Sequence, residues 1–148
     1  AVVLVLVPTL ALLRVGSWGH VPWNDARFGV EAPAIADPAN TMILLPGTEP
    51  TAFVVPAFPK EVRFVRVSRW ILDSPDKPTG LEQLAYSTVA THRGAFFAIF
   101  RQTERAVADG ALALRGLRIP TATCPDLTVK AEANKSDKLV FCPVERKP

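Results

Sequence analysis

At 148 residues and 16.1 kDa, with 49% apolar and 21% charged side chains, the chain has the composition of one globular domain with room for a core. Seventeen Lys and Arg against fourteen Asp and Glu leave a net charge of +3. The basic residues are scattered singly, which excludes the basic stripe of a nucleic-acid binder and is compatible with nearby anionic headgroups.

Ala1 to Leu13 carries no charge and ends at Arg14. As a helix it would reach about 20 Å, short of the ~20 residues that a bilayer crossing needs. The chain starts at Ala and its one methionine is Met42. Residues 1–15 are therefore expected to be the end of a truncated transmembrane helix, with the membrane as a partner. A secretory signal would add a basic region before the apolar one and a small-residue cleavage site after it, and neither is visible. A buried strand or core helix stays open as the simpler alternative.

Residues 16–40 read as an irregular exit segment. Trp18, Trp23 and Phe28 stand among His20, Pro22, Pro33 and Pro38 with little periodicity. Tryptophans just beyond an apolar stretch suit an interfacial belt, and equally suit a loop wrapped around a soluble domain.

Residues 41–148 are expected to form a soluble α/β domain. Met42 to Leu45 is a short apolar run closed by Pro46-Gly47, as in a strand covered on both faces. A Pro-bounded crossover, helical or extended, follows over Thr51 to Pro59. Val62 to Val67 then alternates, with Val62 and Phe64 on one side and Arg63 and Arg66 toward the other, as in a strand with a wet position. Thr79-Gly80-Leu81-Glu82 is a capping box. It predicts a helix with an apolar stripe at Leu81, Leu84, Ala85, Thr88 and Val89, stopped by a left-handed Gly94 after His92 and Arg93.

Ala95 to Phe100 is a second buried-strand run. Thr103 is placed to cap a helix reaching Arg115, with Val107, Ala111 and Leu114 inward, Gly110 as a weak point and Gly116 as its end. Two strands near Asp126–Ala131 and Lys138–Val144, joined through Asn134–Asp137, close the chain as an antiparallel hairpin. The fold expected is α/β, with a mixed, largely parallel sheet, helices on its faces and that C-terminal hairpin.

The two cysteines, Cys124 and Cys142, flank the hairpin. A disulfide between them would close a loop worth about 3 kcal/mol on the chain-entropy model, given an oxidising compartment. Two free buried thiols are the alternative. No further ligand stands at metal-binding spacing, so no metal site is expected. The chain also lacks a Gly-x-Ser-x-Gly elbow, a phosphate loop and a dinucleotide fingerprint, and no cofactor is expected. Gly47, Thr48 and Glu49 follow the first strand at its C-terminal end, where open α/β sheets bind ligands. They form the candidate seat for a small polar or anionic group, although an ordinary strand-to-helix turn has the same sequence. His92 is the other candidate binding residue, with a helix-end cap as the simpler role.

Ile43-Leu-Leu-Pro-Gly-Thr-Glu-Pro50, Phe53-Val-Val-Pro-Ala-Phe-Pro59, Val62-Arg-Phe-Val-Arg-Val67, His92-Arg-Gly94, and Cys124 with Leu139-Val-Phe-Cys-Pro-Val144 together resemble the C-terminal soluble region of polytopic bacterial inner-membrane proteins of the glycosyltransferase-like type. The resemblance covers about Asn40 to Arg146. It implies a periplasmic domain on an inner-membrane protein that uses a polyprenyl-linked sugar. The family's catalytic acidic residues lie in loops between early membrane helices, and none of them maps onto this chain. The expected function is that of an accessory domain, non-catalytic by itself, which positions the lipid-linked sugar or the acceptor. An envelope interaction module without transferase activity and a small soluble α/β enzyme are the alternatives.

Overall fold

A computed structural model describes residues 29–48, 51–67, 80–130 and 136–148 of the chain. The strands are β1 (Val30–Glu31), β2 (Thr41–Leu45), β3 (Arg63–Arg66), β4 (Ala95–Arg101), β5 (Leu117–Arg118), β6 (Thr128–Val129) and β7 (Leu139–Arg146). The α-helices are α1 (Gly80–Thr91) and α2 (Arg105–Ala113), and short 3-10 turns occupy Pro38–Asn40, Ala52–Ala57 and Gln102–Glu104. The predicted transmembrane segment and the tryptophans at 18 and 23 lie outside the described residues. Among the described residues, no helix is long and apolar enough to cross a membrane.

Five strands form one sheet in the order β3-β2-β4-β7-β5, and β1 pairs with β6 in a separate ribbon. All five side chains of β2 are buried, because the strand is flanked on both edges and covered on both faces. Met42 and Leu44 point into one apolar layer with Phe96, Ala98, Phe100, Val140 and Cys142, which Val89 of α1 and Ala108 and Leu112 of α2 cover. Ile43 and Leu45 point into the other with Ile99 and Phe141, which Val54 of the Ala52–Ala57 crossover, Phe58 just after it, and Val30 and Val129 of the ribbon cover. Phe97 stacks on Phe141 with ring centroids 4.6 Å apart, and Phe58 meets Phe64 edge-on at 5.5 Å. Burial of this kind, at about 25 cal/mol per Å² of apolar surface, is the main stabilising term.

The sheet is mixed rather than largely parallel. β2 runs parallel to β3 and β4, whereas β7 runs antiparallel to β4 and β5. Nor, among the described residues, do helices cover both faces. Both α-helices described lie on one face, and the other carries the 3-10 crossover and the β1–β6 ribbon.

The expected hairpin is half formed. Phe141 N–H donates to the Pro125 carbonyl at 2.9 Å and Leu127 N–H to the Leu139 carbonyl at 2.8 Å. At Thr128–Val129 the chain leaves β7 and pairs instead with Val30–Glu31. The folded unit therefore draws in residues before Thr41. Cys124 and Cys142 form a disulfide with Cα atoms 5.0 Å apart. It ties the loop after β5 to the fully buried middle of β7.

Two helix details depart from the sequence pattern. Leu84 of α1 is 62% exposed, and the inward row is Ala85, Tyr86 and Val89. Tyr86 places the turn of the helix: its ring lies under the Arg115 guanidinium, 4.6 Å from ring centroid to Cζ, and links α1 to the end of α2. Burial pushes that guanidinium below its ordinary value, partly offset by Tyr86. Leu114 is likewise exposed, at 54%, because α2 turns Ala108, Ala111 and Leu112 inward.

Gly94 is not in the left-handed region; positive φ occurs at Gly29 and Gly116. Glycine is required at 94 for space, since a Cβ there would overlap the Asn40 carbonyl oxygen. The cap of α1 comes from a distant cation, Arg146, whose Nη2 donates to the carbonyls of Val89 (3.1 Å), Ala90 (3.1 Å) and His92 (2.8 Å).

Candidate functional site

The exits of β2 and β4 define the most informative place on the molecule. These neighbouring parallel strands end on the same edge of the sheet. The chain leaving β2 crosses the ribbon face, and the chain leaving β4 crosses the helix face. Connections that part to opposite faces open a crevice at the strand ends, which is where open α/β sheets take ligands.

In this crevice the Pro46-Gly47-Thr48 turn meets the Gln102–Glu104 turn. Glu104 Oε1 accepts from the Thr48 backbone N–H at 2.9 Å and also from the Thr48 Oγ1 hydroxyl. Gly47 lies directly against the second carboxylate oxygen, and a Cβ at 47 would overlap Glu104 Oε2. The turn thus cradles a carboxylate with one backbone donor, one hydroxyl donor and a bare Cα.

Arg101, the last residue of β4, is 8% exposed and donates from Nη1 to the Asp137 carbonyl at 3.1 Å. The Asp137 carboxylate accepts from the Thr103 N–H at 3.2 Å and from the Thr103 hydroxyl at 2.7 Å. Thr103 is therefore not the helix cap expected from sequence. It is a donor to a carboxylate that also takes its own N–H at the start of the 3-10 turn leading into α2.

Of the sequence-derived site residues, Gly47 and Thr48 stand in the crevice, and Glu49 lies outside the described residues. His92 is elsewhere. It sits at the amino end of β4, beside the start of β2, so the length of the sheet separates it from Thr48. Its Nε2 faces the Ala95 carbonyl at 3.2 Å and its ring meets Phe96 edge-on at 4.8 Å, a packing role at the end of α1. Cys124 and Cys142 are joined in the disulfide.

Two cavities flank this end of the sheet. One, of about 260 Å³, lies over the disulfide between Phe100, Gln102, Arg105, Thr123, Cys124 and Val140. Arg105 on its wall is held by Asp109 at 2.9 Å, the Thr121 carbonyl at 3.0 Å and Cys124 Sγ at 3.8 Å. The other, of about 230 Å³, lies between the ribbon and the start of β7, where Lys138 pairs with Asp126 at 2.7 Å. Gly47, Thr48 and His92 line neither. Among the described residues, no group of three or more His, Cys, Asp or Glu is arranged to hold a metal ion.

Glu104, Arg101 and Asp137 were not singled out by sequence. Nothing in the local pattern separates them from surface charges, because what unites them is the adjacency of β4 to β2 and β7. Compared with known proteins, the chain matches no family model, no curated protein and no solved structure.

Proposed function

We propose that this chain works outside the cytoplasm as a non-catalytic accessory domain of a bacterial inner-membrane glycosyltransferase-like protein. In that role it positions a polyprenyl-linked sugar or its acceptor beside the membrane. The observation that carries the reading is the Cys124–Cys142 disulfide, which ties the loop after β5 to β7 in a chain with no other cysteine. Such bonds persist in oxidising compartments such as the periplasm and are rare in the cytoplasm. Further support comes from the resemblance of the strand and cysteine segments described above, and from the mild positive charge, which suits anionic headgroups.

The test is co-sedimentation of the whole chain with three vesicle types: neutral, phosphatidylglycerol-containing, and carrying a polyprenyl-phosphate-linked sugar at matched charge. Retention on the sugar-lipid vesicles should exceed that on the phosphatidylglycerol vesicles by about tenfold in affinity, or 1.4 kcal/mol. Equal retention on the two charged surfaces would overturn the proposed role in favour of an interaction module for other envelope components.

A further inference from the structure

We propose that the Pro46–Thr48 turn is a receptor for a carboxylate, closed in this structure by the chain's own Glu104. Three observations converge on the seat. Thr48 aims both its backbone N–H and its hydroxyl at one carboxylate oxygen. Gly47 presents a bare Cα to the other oxygen, where a Cβ would force the carboxylate to move. The turn lies at the point where the connections leaving β2 and β4 part to opposite faces, the general position of ligands in open α/β sheets.

The carboxylate that fills the seat comes from just beyond the second of the two strands that define the crevice, 56 residues away in sequence. It arrives on the half-exposed Gln102–Glu104 turn, outside the buried core. Glu104 is in effect an internal ligand. A group tethered in this way competes at an effective concentration in the millimolar range. A simple carboxylate should then bind the intact protein poorly, while a carboxylate that makes further contacts in the crevice can displace Glu104. The proposal does not depend on the membrane reading above.

Truncating Glu104 leaves the Thr48 N–H and hydroxyl without their carboxylate, so a carboxylate supplied from solution should fill the seat. Sodium acetate at about 50 mM, against sodium chloride at equal ionic strength, is expected to raise the melting midpoint of Glu104→Ala by about 4 °C or more, as for a site with a Kd of about 5 mM. The Thr48 amide resonance should shift saturably in the same titration. The wild-type chain should respond more weakly, because Glu104 already competes for the seat. The double variant Gly47→Val/Glu104→Ala should not respond, because the new side chain fills the seat.

Acetate without effect on Glu104→Ala would overturn the proposal. Inorganic phosphate or chloride acting as strongly as acetate would also overturn it, since the seat would then lack selectivity for a planar carboxylate. Should Glu104→Ala fail to fold, Glu104→Gln keeps the side chain's shape without its charge. The same acetate titration on its Thr48 amide then decides: a saturable shift supports the receptor, and no shift contradicts it.

Discussion

Gly94 and Gly110 both precede an alanine, yet replacing each by alanine should move stability in opposite directions. At Gly94 the new Cβ would run into the Asn40 carbonyl, a backbone atom fixed between the Pro38–Asn40 turn and β2. Overpacking of this sort costs about 2–3 kcal/mol. Gly110 lies within α2 with nothing within 4 Å of where its Cβ would be. There, alanine removes the entropy cost of a helical glycine and should stabilise by about 0.5–1 kcal/mol. Chemical denaturation of the two variants checks both signs. Sequence alone separates these glycines poorly. Gly94 after His92-Arg93 has the pattern of a left-handed stop, and its actual constraint is a backbone neighbour 54 residues earlier in the chain. At the candidate site, Gly47 and Thr48 were legible from the turn that closes β2. Their partner Glu104 was not, because its role depends on which strand lies beside β2.

At the scale of elements, the strands with continuous apolar runs, Thr41–Leu45 and Ala95–Arg101, were legible because burial on both faces leaves no room for polar alternation. The Ala52–Ala57 crossover and the α1 span were legible from their prolines and from the helical spacing. The split of the last hairpin was not, because the departure of Thr128–Val129 to pair with Val30–Glu31 is a long-range event with no local signal. The cap of α1 is a similar case, since Arg146 sits in the last strand. Its guanidinium also lies over the Phe96 ring, 5.3 Å from Cζ to the centroid. Arg146→Ala should remove both the cap and the ring contact and cost about 1–2 kcal/mol. The element-level signature is hydrogen exchange: amide protection should fall in the last turn of α1, around Val89–Thr91, and hold in β2. Uniform loss of protection across the sheet would show instead that Arg146 acts through global stability.

For the whole molecule, composition and alternation were enough to indicate an α/β domain with a mixed sheet. Strand order was not accessible, and with it went the layer plan of the described residues: two α-helices on one face, a 3-10 crossover and a β-ribbon on the other. The disulfide binds the broken outer edge of this assembly, where β5 and the 125–127 segment share β7. With a sequence separation of 18 between its cysteines, it removes loop entropy from the unfolded chain worth about 3 kcal/mol. Reduction should therefore lower the melting midpoint by roughly 10 °C. Cys124→Ala/Cys142→Ala, insensitive to reductant, should match the reduced wild type.

The extracytoplasmic reading stands most directly on the state of those two sulfurs in the chain as a cell makes it. The deciding measurement is thiol quantification and intact mass, before and after reduction, on the chain exported to an oxidising compartment and denatured under conditions that block exchange. The expected result is no reactive thiol before reduction and a gain of two hydrogens in mass after it. Two reactive thiols before reduction would contradict that reading and return the chain to the reducing side of the membrane.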